Sequence, residues 1–258
     1  MALKYIALFN YGGGMRGLIP ATIMAEIERK TGLYMSDMVD IFTGPSTGAI
    51  LNAALTRPHR RHADRPQYKA RHMIRFYERE GANIFPNDRS RAFRGFIHDF
   101  NNRTMKLGTL SKLFRHGHYA SSNLAVSLYK LLGEVKLSEA RSSLVVPFYN
   151  IVGESLDIAS EIDEGENAPA PSVNNVMTEG GRAVWMKNLI GDARHGRQHV
   201  TMDVKLYDLI MGSCAAPTYF KCHDFQAFDK ESKSWRNYHA IDGSIFDNPC
   251  ITYHGVLR

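Results

Sequence analysis

The sequence predicts an α/β fold built on a parallel sheet, and three observations carry that prediction. Residues 4–43 read as strand, glycine loop, helix and strand; a Gly-x-Ser-x-Gly pentad follows the second strand; and a further strong apolar run spans Leu144 to Val152. The first strand, Tyr5 to Phe9, reads as buried, and Asn10 and Tyr11 separate it from Gly12, Gly13, Gly14 and Gly17. Ile19, Ile23, Met24 and Ile27 then fall on one side of a helix over 17–30 and read as its apolar stripe. Pro20 suits a first helical turn and Gly32 a helix end. Such a helix is about 21 Å long, enough to return the chain for a parallel neighbour. A right-handed crossover leaves both strand ends, and so both loops, on one edge of the sheet.

The pentad is Gly44-Pro45-Ser46-Thr47-Gly48, set between the apolar run Met38 to Phe42 and a helix-forming run, Ala49 to Leu55. A strand-to-helix turn of this kind exposes a serine hydroxyl as a nucleophile, and its flanking glycines fit a turn too tight for side chains. The glycine loop is expected beside it. Successive N–H groups at a helix N-terminus hold negative charge, and beside a nucleophilic serine that charge is the oxyanion of a tetrahedral acyl intermediate. Gly12, Gly13, Gly14, Met15 and Arg16 are thus the candidate oxyanion residues, with Arg16 adding a fixed positive charge or pinning the loop. The spacing of Gly12, Gly14 and Gly17 also satisfies the dinucleotide fingerprint. That fingerprint wants an acidic residue at the end of the second strand, whereas Asp37 and Asp40 precede or interrupt it. A P-loop is excluded, because no Lys-Ser/Thr follows the glycines.

A serine nucleophile needs a base. The chain has eleven histidines, six of them (His59, His62, His72, His98, His116 and His118) in a basic middle region where they read as solvated surface. Asp242 is the better candidate. It ends a strand expected over Trp235 to Ile241 and precedes Gly243, which turns sharply. A free carboxylate titrates near pH 4, so it serves as a base only when desolvated and close to the hydroxyl.

Four pieces in this order resemble the patatin-like phospholipase family: Gly12 to Gly17, Gly44 to Gly48, Cys214-Ala215-Ala216-Pro217-Thr218-Tyr219-Phe220, and Asp242-Gly243 with Asn248-Pro249 behind it. The resemblance reaches from about Tyr5 to Pro249. It implies a three-layer α/β/α fold with a mostly parallel central sheet, and a Ser46–Asp242 dyad in place of a triad. Ser46 would attack an ester carbonyl, Asp242 would take its proton, and water would release the acyl enzyme, with no metal or cofactor. The implied substrates are acyl esters of phospholipids, lysophospholipids, galactolipids or neutral lipids. Three positions depart from the family pattern: Tyr11 stands where Asp is common, Pro45 precedes the nucleophile, and Ser244 follows Gly243 in place of a second glycine.

Composition agrees with one catalytic domain over 1–258, or a C-terminally shortened piece of one. Hydrophobic residues make up 44% of the chain, enough for a buried sheet. No apolar stretch approaches the roughly twenty residues of a membrane span. Three cysteines, Cys214, Cys222 and Cys250, lack metal spacing and read as reduced thiols. The start is too short for a secretory signal and carries Lys4. The expected location is cytoplasmic and peripheral to membranes, although delivery into another cell by a signal-free route would leave the same signature.

Charge is concentrated in residues 56–118, where fifteen Lys and Arg face five Asp and Glu, a net +10 against +6 for the whole chain. Tyr68, Phe76, Tyr77, Phe85, Phe93, Phe96, Phe100 and Phe114 are interleaved there. A basic, aromatic-studded flank suits anionic headgroups, at about 1 kcal/mol per cation near the surface. It equally suits nucleic acid, but no nucleic-acid motif accompanies it. Over Pro66 to Glu80 the plainer reading is a helix with Tyr68, Met73, Ile74 and Tyr77 as its buried stripe. Beyond it, Ser121 to Leu132 and Val204 to Ser213 read as helices and Thr218 to Cys222 as a strand. Residues 157–200 read as a long surface excursion of the kind that forms lids. Two other function classes remain at this stage: a Ser-Asp-His hydrolase drawing on His254, and an inactive module that binds lipid or a partner.

Overall fold

The computed structural model describes residues 5–84, 121–152, 181–190, 198–199, 202–217 and 219–246. Its eight strands are β1 (Ala7–Phe9), β2 (Ile41–Thr43), β3 (Ser143–Asn150), β4 (Arg182–Ile190), β5 (Gln198–His199), β6 (Met202–Asp203), β7 (His223–Asp229) and β8 (Ser234–Asp242). Its helices are α1 (Leu18–Thr31), α2 (Met35–Met38), α3 (Thr47–Thr56), α4 (Ala70–Ile84), α5 (Ser121–Leu132) and α6 (Leu206–Ser213). Together they make the three-layer α/β/α fold expected. β1, β2 and β3 are parallel, as the crossover argument requires. β8, β7 and β6 extend the sheet with antiparallel pairings, and β4 pairs antiparallel with β3 and β5.

One detail of register positions everything that follows. β4 lies along the whole of β3, from Leu144 to Asn150, on one edge. The other edge is divided: β2 pairs with its first half, ending at Thr43 opposite Val145, and β8 with its last, ending at Asp242 opposite Phe148. β2 runs parallel to β3 and β8 antiparallel, so their C-terminal ends point at each other. Only three positions of β3 separate them, about 10 Å at the usual rise.

The N-terminal strand differs from expectation. Tyr5 and Ile6 are exposed and β1 is half-buried, because it pairs with β2 alone and forms an edge of the sheet. α1 is rotated relative to the predicted stripe: Ala21, Met24 and Glu28 are buried, whereas Ile19, Ile23 and Ile27 face out. Glu28 explains the rotation. Its two carboxylate oxygens accept the backbone N–H of Met35, opening α2, at 3.0 Å and of Ala70, opening α4, at 2.8 Å. Helix-opening N–H groups have no intrahelical acceptor, and Glu28 supplies one from the inside.

The expected stripe of α4 holds: Met73 and Tyr77 are buried, with Tyr68 and Ile74 packed against the core. Phe76 is packed there too, so the described aromatics of the basic region serve packing. Phe85, Phe93, Phe96, Phe100 and Phe114 lie outside the described residues. Residues 219–222 are not a strand; β7 begins at His223, after turns that follow the Pro217 break. Within the excursion expected over 157–200, residues 182–190 are strand β4 and 198–199 strand β5, and the segment 153–180 lies outside the described residues. Among the described residues no helix is long and apolar enough to cross a membrane.

Replacing Glu28 with Ala leaves two buried N–H groups without an acceptor. It should lower unfolding free energy by about 2–4 kcal/mol, read as a fall in the urea midpoint with unchanged slope.

Candidate active site

Ser46 stands between β2 and α3 with φ 55 and ψ −130, a backbone conformation that costs a non-glycine residue about 1–3 kcal/mol. Close contact with the end of β1 shapes this elbow. A Cβ at Gly44 would lie 1.8 Å from the Asn10 carbonyl oxygen, and one at Gly48 2.1 Å from the same atom. Both pentad glycines are therefore places where the Asn10 backbone touches the turn. The Ser46 N–H is shared between the Ser213 carbonyl and the Ser213 hydroxyl, each at 3.2 Å, and that hydroxyl donates to the Pro147 carbonyl at 2.7 Å. The elbow is thus tied through α6 to the middle of β3.

Asp242 ends β8 and is almost wholly buried at 3% exposure. Its backbone N–H donates to the Ala215 carbonyl at 3.0 Å, and its Oδ1 accepts the Ser244 N–H at 2.8 Å. The Ser46 and Ser244 side chains lie beside its carboxylate and favour its charged form. Burial pushes the carboxyl up to about 6, while the Ser244 amide and the two hydroxyls pull it partly back. A carboxylate desolvated this far accepts a proton near neutral pH, the condition under which it can serve a serine hydroxyl. Ser46 and Asp242, some two hundred positions apart in the chain, are brought together as the sequence predicts.

The glycine loop closes the third side. A Cβ at Gly12 would lie 2.9 Å from the Ser46 Cβ and 2.5 Å from the Ser244 hydroxyl, so Gly12 lies directly against both serines. Gly13 and Gly14 have φ of 140 and 58, open to glycine alone at no cost. Gly14, Met15 and Arg16 form a 3-10 turn over Gly14–Gly17, whose first N–H groups lack an intrahelical acceptor. The Arg16 side chain folds over Gly13, and the Arg16 backbone N–H donates to the Gly13 carbonyl at 3.1 Å, so Arg16 pins the loop and its amide, already engaged, is not a free donor for an oxyanion. Met15 packs its sulfur against Gly81 of α4. Behind the loop, Tyr77 fills the space left by Gly17 and donates to the Thr47 carbonyl at 3.2 Å.

Residues 11–253 match the patatin-like phospholipase family. The chain belongs to that family. It is 26% identical to patatin-like protein 2 of Oryza sativa subsp. indica over 243 residues, and 27% identical to patatin-like protein 3 of Arabidopsis thaliana over 248. Each alignment covers 92% of this chain and 48% of the relative. Patatin-T5 of Solanum tuberosum is 24% identical over 249 residues, 93% of this chain and 50% of that one. The chain spans about half the length of the curated relatives it matches.

Two residues of this patatin-like site escape sequence reasoning. Ser213 carries the elbow's N–H, and its one signal is its place just before the Cys214 motif. Ser244 occupies a position where the family commonly has glycine, and its side chain favours the charged form of Asp242. Cys214 is buried and its thiol is pushed well up by burial and by Asp242, so it packs as a small apolar residue. Cys250 and His254 lie outside the described residues. His223 and His239 have their own carboxylate partners, Asp208 at 3.2 Å and Asp224 at 2.8 Å. Among the described residues no group of His, Cys, Asp and Glu is placed to hold a metal ion.

Asp242 makes the site a stability liability with a definite pH window. Its folded pKa, about 6, lies above the reference 3.8, so its favourable contribution is complete below pH 4 and is lost as pH rises through 6. At pH 7–8 the buried carboxylate destabilises the fold by on the order of 3 kcal/mol. Asp242→Asn should therefore raise the urea midpoint at pH 7.5 and lose that advantage at pH 4.

Proposed function

We propose that the protein hydrolyses carboxylic esters of membrane lipids, acting as a phospholipase A or lysophospholipase through a Ser46–Asp242 dyad. The observation that carries this reading is the strained Ser46 standing beside the buried Asp242 and favouring its charged form, with Gly12 packed against the same serine. Membership of the patatin-like phospholipase family supports the lipid ester as substrate.

Ser46 attacks the ester carbonyl while its proton passes to Asp242. The carbonyl oxygen takes the negative charge and is held by N–H groups of the Gly12–Met15 loop. Asp242 then protonates the departing alcohol, the lysolipid or headgroup-bearing product. Water next gives a proton to Asp242 and attacks the acyl enzyme, and Ser46 recovers its proton as the fatty acid leaves. No cofactor enters the scheme. A cavity of about 200 Å³ lined by Leu124, Met211, Ala215 and Phe220 together with Ser121, Lys221, Cys222 and His223 reaches Ala215, whose carbonyl accepts the Asp242 amide.

The substrate places the enzyme's work at a lipid surface, and the basic character of residues 56–118 suits anionic headgroups there. The cytoplasmic face of a membrane is the proposed setting, reached from within the cell or by signal-free delivery.

Ser46→Ala and Asp242→Asn should each lower kcat/KM on mixed phospholipids, lysophospholipids and triacylglycerols by on the order of 10³-fold or more, with products followed by mass spectrometry. Retained turnover in either variant rejects the dyad, and a fluorophosphonate that fails to label Ser46 rejects its activation.

The pH profile offers an independent check. Asp242 must be deprotonated to act as base, so kcat/KM should fall tenfold per pH unit below about 6. Ser244→Ala removes a side chain that favours the carboxylate form and should move that limb to higher pH.

A further inference from the structure

The helix α1 turns three isoleucines into solvent when an apolar helix face ordinarily turns inward. Ile19, Ile23 and Ile27 are 63%, 57% and 39% exposed, and Met15, four positions before Ile19, is 39% exposed. The three isoleucines, at successive spacings of four, form one row, roughly 12 Å long at helical rise, and Met15, on the 3-10 turn before the helix with its sulfur against Gly81, stands at its N-terminal end. The row starts at the residue that follows Gly14, so its first member belongs to the loop packed against Ser46.

We propose that this outer face of α1 seats the protein on an anionic lipid surface and presents Ser46 to the ester level of that surface. The proposal rests on the lipid-hydrolase reading above and adds where the enzyme meets its substrate. Three observations favour a bilayer as the occupant.

The row is narrow. Its four side chains expose on the order of 400 Å², the size of the largest and often functional patch on a monomer and about half the 800 Å² each partner of a stable dimer buries. Charge is the second observation. On the Gly14–Gly17 turn, α1 and the adjoining α4, the exposed charges are Arg16, Arg29, Lys30, Arg71, Arg75 and Arg79 against Glu78 and against Glu26, which pairs with Arg29 and Lys30. An apolar row with cations around it is the composition of a helix lying in a membrane interface, its apolar side sunk about 5–10 Å.

Continuity with the site is the third. The ester bonds of a membrane lipid lie at the boundary between headgroup and acyl chain. A face that sinks to that boundary, beginning next to Gly14, brings the glycine loop and Ser46 to the same level. This face, and not the basic segment alone, then governs access to substrate.

The test uses the full 258-residue chain and vesicles of phosphatidylcholine with or without phosphatidylglycerol. Wild type should sediment with phosphatidylglycerol vesicles several-fold more strongly than with phosphatidylcholine alone. A triple Ile19→Gln, Ile23→Gln, Ile27→Gln variant, all on exposed positions that glutamine fits without loss of helix, should bind at least tenfold more weakly with an unchanged circular dichroism spectrum. Its turnover of vesicle lipid should fall relative to its turnover of a soluble short-chain ester. Undiminished binding by the triple variant overturns the proposal, as does equal partition of wild type onto both vesicles. A wild-type dimer that the same substitutions split, seen by sedimentation velocity, assigns the row to a second copy and overturns it too. Ser46→Ala separates the two readings: it should bind vesicles like wild type whether or not the dyad is the machinery of hydrolysis.

Discussion

The division of one strand edge governs this molecule. β3 offers its edge first to β2 and then to β8, and because these run in opposite senses their C-terminal ends meet over Val146 and Pro147. Whatever stands at those two ends must converge, and there stand Ser46 and Asp242. The carbonyl of Pro147 points into the gap, where it accepts from the Ser213 hydroxyl and would crowd a Cβ at Gly243. N–H and C=O of a strand residue face the same edge, so the N–H that proline lacks would also have faced the gap. Proline is tolerated in mid-strand here because no neighbouring strand asks for its donor.

That convergence explains why strain gathers at the site. The chain must leave β2 abruptly to begin α3, and it does so under the Asn10 carbonyl, which leaves no room for a Cβ at Gly44 or Gly48. Ser46, between them, takes the unfavourable backbone angles because α6 grips its N–H. Asp242 bears the other half of the burden as a desolvated carboxyl held by the Ser244 N–H against the core. Strain and desolvation are both met by packing elsewhere, and both are relieved by changes that remove the chemistry.

Much of this was legible in the sequence, because tight geometry forces distinctive residues. Glycines at 12, 44 and 48 mark close approaches, those at 13 and 14 a left-handed backbone, and an Asp-Gly after an apolar strand marks a carboxylate at a strand end. What stayed hidden has physical reasons as well. β4 carries Asn188, which is buried and donates to the Leu137 carbonyl at 3.1 Å, so its inward face reads as polar. β7 alternates correctly through Phe225 and Ala227, but its third inward residue is Asp229, paired with Arg236 of β8. Both strands satisfy polar side chains inside, and a pattern of apolar residues alone does not register that. Ser213 and Ser244 are hidden for another reason: a serine that braces a neighbour has no local signature.

α1 is the instructive case, because its sequence supports two rotations. One buries Ile19, Ile23 and Ile27; the other buries Ala21, Met24 and Glu28. Hydrophobicity favours the first by about 1.5–3 kcal/mol per isoleucine. The second satisfies two helix-opening N–H groups through Glu28, at about 1–3 kcal/mol each if left unmet, and the small Ala21 lets α1 lie close to its neighbours. The two sums are comparable, so polar satisfaction and close packing settle the rotation and a row of isoleucines is left in water. In a chain free to vary at exposed positions, a polar side chain at 19, 23 or 27 would keep the same rotation and raise solubility. Three β-branched apolar residues in register are instead what a face needs when a second apolar medium is to meet it.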